Sequence, residues 1–208
     1  MTRPASKPSA KTKLLDAALS VIRSRGYSAT TVDELCAAAG VTKGAFFHHF
    51  RSKDELAVAA AEHWSTMTGA LFADAPYHDP ADPLDRILAY LAFRKALLQG
   101  ELPEFTCLVG TMVQETYQTA PEIREACERS ITGHAETLEA DIEAAMTARG
   151  LTAGWTANSL ALHTQAVIQG GFILAKATGS AALAADSIDH LIRYIEMLFS
   201  APKGQTSR

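Results

Sequence analysis

The three cysteines of this 208-residue chain, Cys36, Cys107 and Cys127, form no CxxC pair. Their odd number and wide spacing argue against a disulfide framework or a zinc ribbon and fit a reducing, cytoplasmic setting. No run of 18 or more apolar residues occurs, so no membrane-spanning helix is expected. The first ten residues, MTRPASKPSA, lack the apolar stretch of a secretory leader, and their Pro, Ser and basic content predicts a flexible arm. A polar tail, APKGQTSR from Ala201, predicts the same at the other end. Alternating strand patterns and hairpin turns are missing as well. So are the catalytic signatures G-x-S-x-G, the P-loop, G-x-G-x-x-G and H-E-x-x-H. The histidines (His48, His49, His63, His78, His134, His163, His190) fall on no metal spacing. His134-Ala135-Glu136 imitates part of a zinc deaminase motif without its P-C-x-x-C partner. Neither an enzyme nor a bound metal or cofactor is expected.

Helical periodicity fills the space left by these absences, and charge is unevenly spread along it. Residues 1–55 carry nine Lys/Arg against five Asp/Glu, whereas the remainder carries ten against eighteen. A basic front on an acidic body points to a polyanionic partner for the front. Leu15, Ala18, Leu19 and Ile22 make an amphipathic first helix that Gly26 stops. Thr31 and Glu34 form a T-x-x-E capping box ahead of Val32, Leu35, Cys36 and Ala39, and Gly40 ends that second, short helix. Thr42 can cap a third, and Ser52 with Glu55 opens a fourth. The Pro/Asp-rich APYHDPADP, Ala75 to Pro83, reads as a loop. Further helices are predicted over about Leu84–Leu98, Cys107–Tyr117, Pro121–Arg149, Thr152–Ala177 and Ala181–Phe199, with Gly100–Pro103 as a break. The expectation is an all-α chain of about nine helices. A basic arm (1–10) precedes a three-helix N-terminal domain (11–55), a larger helical bundle (56–200) and a tail (201–208).

Two short helices joined by a glycine-containing turn, with a third before them, make a helix-turn-helix, whose second helix enters the major groove of double-stranded DNA. The stretch VTKGAFFHHFRSKDEL packs three phenylalanines and two histidines into five positions. Phe46 and Phe50, at i and i+4, face inward. Gly44 and His48 take the opposite face, with Ala45 and Phe47 on its flanks. The small Gly44 and Ala45 allow close approach to the groove, Lys43 can reach a phosphate or a guanine edge, and His48 a base or phosphate. Lys53, at the start of the fourth helix, is placed for a phosphate.

From about Lys11 to Leu56 these residues resemble the N-terminal domain of the TetR family of bacterial transcriptional regulators. The resemblance rests on TTVDELCAAAGVTKGAFFHHFRSKDEL, with its T-x-x-E box, A-G-V turn, T-K-G opening, H-F pair and S-K-x-x-L start. It implies a homodimer, a palindromic operator and repression relieved by a small-molecule effector. It places the DNA interface on Thr31, Thr42, Lys43, Gly44, Ala45, Phe47, His48, His49 and Lys53. His49 has a second reading, a structural histidine under Phe46. The family's common recognition-helix tyrosine falls at Phe47, which has no hydroxyl to offer a phosphate.

In the body, the helix with Val167, Gly170, Gly171 and Phe172 and the final helix with Ile188, Leu191, Ile192, Ile195, Leu198 and Phe199 read as a dimerisation pair. Val167, Gly171, Ile188, Leu191, Ile195 and Leu198 are the expected contacts. Part of each face would pack within its own subunit. A largely apolar effector site is expected among Trp64, Met67, Leu71, Phe93, Leu97, Met112, Glu115, Tyr117, Trp155, His163 and Gln165. The segment FTCLVGTMVQETYQTAPEIREAC, Phe105 to Cys127, resembles a TetR subgroup in which a Cys-Leu pair opens a helix, and some of whose members sense electrophiles through that cysteine. Cys107 would gain thiolate character in a first helical turn, with Lys176 as the nearby cation. The plain alternative makes Cys107 a packing residue. Two other functions stay open: a helical ligand- or partner-binding module without DNA binding, and an activator.

Overall fold

The computed structural model describes residues 8–200. Among these, ten α-helices and one short 3-10 turn follow one another, and no strand occurs. They are α1 (Ala10–Arg25), α2 (Val32–Ala39), α3 (Lys43–His49), α4 (Lys53–Ala73), the 3-10 turn Pro76–His78, α5 (Pro83–Ala96), α6 (Leu102–Phe105), α7 (Leu108–Thr116), α8 (Pro121–Arg149), α9 (Ala157–Thr178) and α10 (Ala182–Ser200). Ser9 caps α1 by accepting from Thr12 N–H, so the helix reaches into the last residue of the expected arm. Residues 1–7 of that arm, and the expected tail, lie outside the described residues.

Local chemistry sets most boundaries. Gly26 (φ 87°) ends α1 and donates its N–H to Ile22 O at 2.8 Å. The Thr31–Glu34 capping box forms with both of its bonds, and Gly40 (φ 63°) closes α2 in the left-handed region. Ser52 accepts from Glu55 N–H at 3.1 Å, while the Glu55 carboxylate reaches back to Arg51 N–H at 2.7 Å. Two expectations are corrected. The Gly100–Pro103 break contains the start of a one-turn helix, with proline in its first turn where a missing N–H costs nothing. The helix expected from Thr152 begins at Ala157 instead, because Thr156 and Ser159 cap each other there.

The described residues fall into two compact units, 8–68 with 107–130 and 69–106 with 131–200. These units do not divide at residue 56. Helix α4 runs unbroken past it, and α7 packs on α1 within the first unit. The core of the first unit takes Leu14, Leu15, Ala18, Leu19 and Ile22 from α1, Leu35 and Cys36 from α2, Phe46 from α3, and Leu108 and Met112 from α7. The second unit buries Phe72, Tyr77, Ile87, Tyr90, Leu91, Ile142, Ile168, Phe172, Ile188, Leu191 and Ile195. Ion pairs tie its helices together: Arg86 with Asp141 (2.7 Å), Lys95 with Asp189 (2.6 Å) and Arg149 with Asp82 (2.9 Å).

The pairing of α9 with α10 corrects the list of dimer contacts. Ile188, Leu191 and Ile195 are only 2, 2 and 0 % exposed in the single chain, so they have no surface left for a partner. A Cβ on Gly171 would meet Ala184 Cα at 3.3 Å, so this glycine serves close approach of α9 to α10 of its own chain. A broad apolar stripe has two edges, and periodicity alone does not say which one turns inward. The large apolar residues left exposed on these helices are Leu162, Ile173, Leu174, Leu183, Tyr194 and Met197. Val167 and Leu198 are half-buried.

Candidate nucleic-acid interface and effector-side residues

Helix α3 has only seven residues, too few to be stable without anchors. Thr42 caps it by accepting from Ala45 N–H at 3.1 Å. Phe46 and Phe50 are buried with ring centroids 5.9 Å apart, and burial of each contributes roughly 1.5–3 kcal/mol. That anchoring turns Lys43, Gly44, Phe47 and His48 outward, all of them exposed, with Phe47 at 53 %. Thr31 and Thr42 are exposed beside them, and Ala45 is half-buried. The Phe47 ring rests edge-on against Phe46 at 5.1 Å. Lys43 Nζ lies 2.8 Å from Asp33 of α2, which holds the ammonium pKa above its usual value through hydrogen bond and charge. His49 is half-buried, with its ring against His48 (4.9 Å) and Phe50 (6.5 Å).

Lys53 departs from expectation. Its Nζ donates to Tyr27 O (3.0 Å) and Thr30 O (2.9 Å) and lies 4.2 Å from the centre of the Tyr27 ring. It fastens the α1–α2 turn to the start of α4, with one of its three ammonium donors left over for a phosphate. Asp54 accepts from the Tyr27 hydroxyl, and burial, then Asp54, raises the Tyr27 pKa. The same turn is gripped from its other side. Glu115, at the end of α7, accepts from Tyr27 N–H at 3.1 Å and Ser28 N–H at 2.7 Å. A Cβ on Gly26 would stand 2.5 Å from Glu115 Oε1, so a side chain there would displace the clasping carboxylate as well as strain the positive φ.

The residues expected to line an effector site divide between the units. In the first, Arg23 lies over Trp64 (5.0 Å), Met67 is exposed and Met112 is fully buried. The Glu115 carboxylate, engaged as above, is corrected from effector contact to clasp. Cys107 is the N-cap of α7 rather than a first-turn residue, and its Sγ accepts from Gly110 N–H at 3.4 Å. Cys127, in the same unit, is buried, and its thiol pKa is pushed up to about 12 by burial and then by Cys107. In the second unit Trp155 packs edge-on against Phe199 (5.8 Å), and the exposed His163 lies beside Tyr194 (5.3 Å). Lys176 is exposed near the end of α9.

Sequence reasoning missed most of the polar centre of that second unit. Gln165 Nε2 donates to Tyr90 Oη at 3.1 Å, and Tyr90 Oη lies 2.9 Å from His134 Nε2. The Tyr90 hydroxyl thus joins Gln165 to a ring nitrogen of His134. Burial, then Arg94, pushes the His134 pKa down to about 4, which keeps the imidazole neutral. Phe72 contacts His134 (4.6 Å), Tyr90 (5.8 Å) and Phe93 (5.6 Å), and Tyr77 contacts Tyr90 (5.3 Å) and Phe93 (5.9 Å). Burial, ahead of Tyr90 and Asp141, raises the Tyr77 pKa to about 12. Gln165 and Phe93 were legible as candidates. Tyr90, His134 and Arg94 carried no signal, because no spacing in the chain links residues from α5, α8 and α9.

A three-helix head with an exposed, aromatically anchored second helix of a helix-turn-helix, carried on an all-helical body, defines a DNA-binding regulator class. Residues 14–60 match the family model of bacterial regulatory proteins of the tetR family, and residues 83–191 match a tetracyclin repressor-like C-terminal domain. The chain belongs to the TetR family of transcriptional regulators. It is 31 % identical over 127 residues to the transcriptional regulator AcuR of Cereibacter sphaeroides, covering 60 % of this chain and 58 % of that protein, so the match spans little more than half of AcuR. Identity to the regulator AcrR of Shigella flexneri is 27 % over 169 residues, covering 71 % and 76 % of the two chains. The fold is similar to that of the reduced form of NemR from Escherichia coli, with a TM-score of 0.79, 22 % identity and coverage of 94 % of this chain and 99 % of that one.

Proposed function

We propose that the protein is a ligand-responsive repressor, not an enzyme, that acts in the cytoplasm. It binds a palindromic operator as a homodimer and is released when a small effector occupies its C-terminal domain. One observation carries the DNA-binding half. Gly44 sits in the first turn of α3 without a positive φ, a backbone that alanine adopts at no loss. A Cβ there would meet only Thr42 Oγ1, at an ordinary 3.8 Å. The fold has no use for a glycine at this position, so its smallness serves the approach of something outside, and Lys43, Phe47 and His48 surround it. Gly44→Ala is expected to stabilise the protein by about 0.5 kcal/mol while weakening operator binding at least tenfold, read by thermal melting and gel retardation. Unchanged retardation of a palindromic fragment by this variant, and by Lys43→Ala, would move the DNA interface off α3, and no retardation by the wild-type protein would favour a module that has lost DNA binding.

A second trigger is supported by the placement of Cys107. As N-cap of α7 it stands at the opposite end of the helix whose Glu115 holds the α1–α2 turn. An electrophile adding to Sγ would remove the acceptor from Gly110 N–H and disturb that helix. Cys107→Ser should keep operator binding and lose release by quinone or hypochlorite. Release that survives in Cys107→Ser makes Cys107 a packing residue.

A further inference from the structure

Within the second unit, the half-buried basic side chains are Arg86, Arg94, Lys95 and Arg149. Three have carboxylate partners: Asp141 for Arg86, Asp189 for Lys95 and Asp82 for Arg149. Arg94 is different. Among the described residues no carboxylate lies within ion-pair distance of it and no acceptor takes its N–H groups. Its guanidinium lies over two aromatic rings instead, 5.2 Å from the centre of Phe72 and 5.8 Å from that of Phe172. Withdrawing a guanidinium from water without an anion is costly, and a cation–π contact returns only about 0.5–2 kcal/mol. The ring faces also leave the planar N–H fork unused, and that fork is the geometry that takes a carboxylate through two bonds.

Aromatic and neutral polar side chains surround Arg94. Phe72 also touches His134, and the Tyr90 hydroxyl is held by Gln165 and His134. With Nε2 engaged by Tyr90, His134 has Nδ1 as a second polar ring atom. Asp141 of α8 and Asp189 of α10 are engaged elsewhere, by Arg86 and by Lys95. One cation beside neutral polar groups, set among aromatic rings, matches a molecule with one anionic end and an apolar body.

We propose that Arg94 is the recognition residue of the effector site and that the effector is a small organic carboxylate, its anion on the Arg94 guanidinium and its apolar part among Phe72, Phe172 and Tyr77. This rests on the reading that the C-terminal domain binds an effector, and it narrows that effector to a chemical class.

The test uses the full-length protein with benzoate, phenylacetate and hexanoate, each against its primary amide. Thermal melting and calorimetric titration report binding, because a ligand held only by the folded state raises the melting temperature. At least one carboxylate should bind tenfold or more tightly than its amide, and Arg94→Met should remove that preference while Arg94→Lys keeps part of it. Without ligand, Arg94→Met should melt no lower than the wild type, since it removes an unmatched cation, whereas Arg86→Met should melt lower. Equal binding of acids and amides, no carboxylate binding better than its amide, or an unliganded Arg94→Met that melts as low as Arg86→Met would each overturn the proposal. Operator retardation with the same compounds separates the two readings. A carboxylate that binds but leaves the DNA complex intact supports the ligand class and refutes release by effector. An amide that releases DNA where its acid does not refutes the ligand class and leaves the release reading standing.

Discussion

His134 shows how one side chain ties a buried hydrogen-bond network to solution pH. Its folded pKa of about 4 lies below the ordinary value of 6.5, because burial first and Arg94 second disfavour the imidazolium. The unfolded chain therefore binds a proton that the folded chain refuses, over the window between these two values. The stability gained from a neutral His134 is complete above about pH 6.5 and is lost progressively as pH falls towards 4, by about 3 kcal/mol at the lower end. His134→Gln keeps a hydrogen-bonding side chain for Tyr90 and removes the titration. Urea unfolding of wild type and variant between pH 7 and pH 4 should give a much shallower acid decline for the variant. Equal declines would place the acid sensitivity in other groups.

At the scale of elements, α7 was the helix whose role the sequence concealed. Its apolar periodicity and the Cys-Leu opening were visible, and Leu108–Thr116 falls within the expected span. Glu115 nevertheless read as a polar group for an effector, because no pattern links it to a turn 87 residues away. The structural role of Lys53 was hidden for the same reason, since its carbonyl partners on Tyr27 and Thr30 are brought to it only by the fold. What was legible is local. The Thr31 box, the Thr42 cap, the Gly26 and Gly40 stops and both ends of α8 all depend on residues within four positions of each other. The one-turn α6 was too short to show a period. The two-fold grip of Glu115 on the α1–α2 turn has a direct consequence. Glu115→Gln keeps one acceptor and turns an amide against the other N–H, which should cost about 1 kcal/mol at this solvent-exposed site. Hydrogen exchange at the Tyr27 and Ser28 amides should rise several-fold, and exchange in α8 should not. Unchanged protection at those two amides would mean that the turn holds itself.

For the whole molecule, the question is which apolar surface the proposed homodimer covers. The residues that periodicity favoured, Ile188, Leu191 and Ile195, are consumed by the chain's own core. The surface left over on α9 and α10 comprises Leu162, Ile173, Leu174, Leu183, Tyr194 and Met197, with Met197 at 69 % exposure. Scattered apolar residues on a monomer need no explanation, but six large ones on two adjacent helices are more than solvent alone accounts for. The two residue sets make opposite predictions. Ile195→Ala removes buried volume and should lower stability by about 2–4 kcal/mol. Ile173→Glu with Met197→Glu leaves that core intact, so the fold should survive while charge is forced into the proposed contact. Sedimentation equilibrium should then find a folded monomer, with the circular dichroism of the wild type and at least a hundredfold weaker retention of a palindromic fragment, because two half-sites are no longer bound together. A double variant that still sediments as a dimer would move the interface off this face and onto another part of the surface.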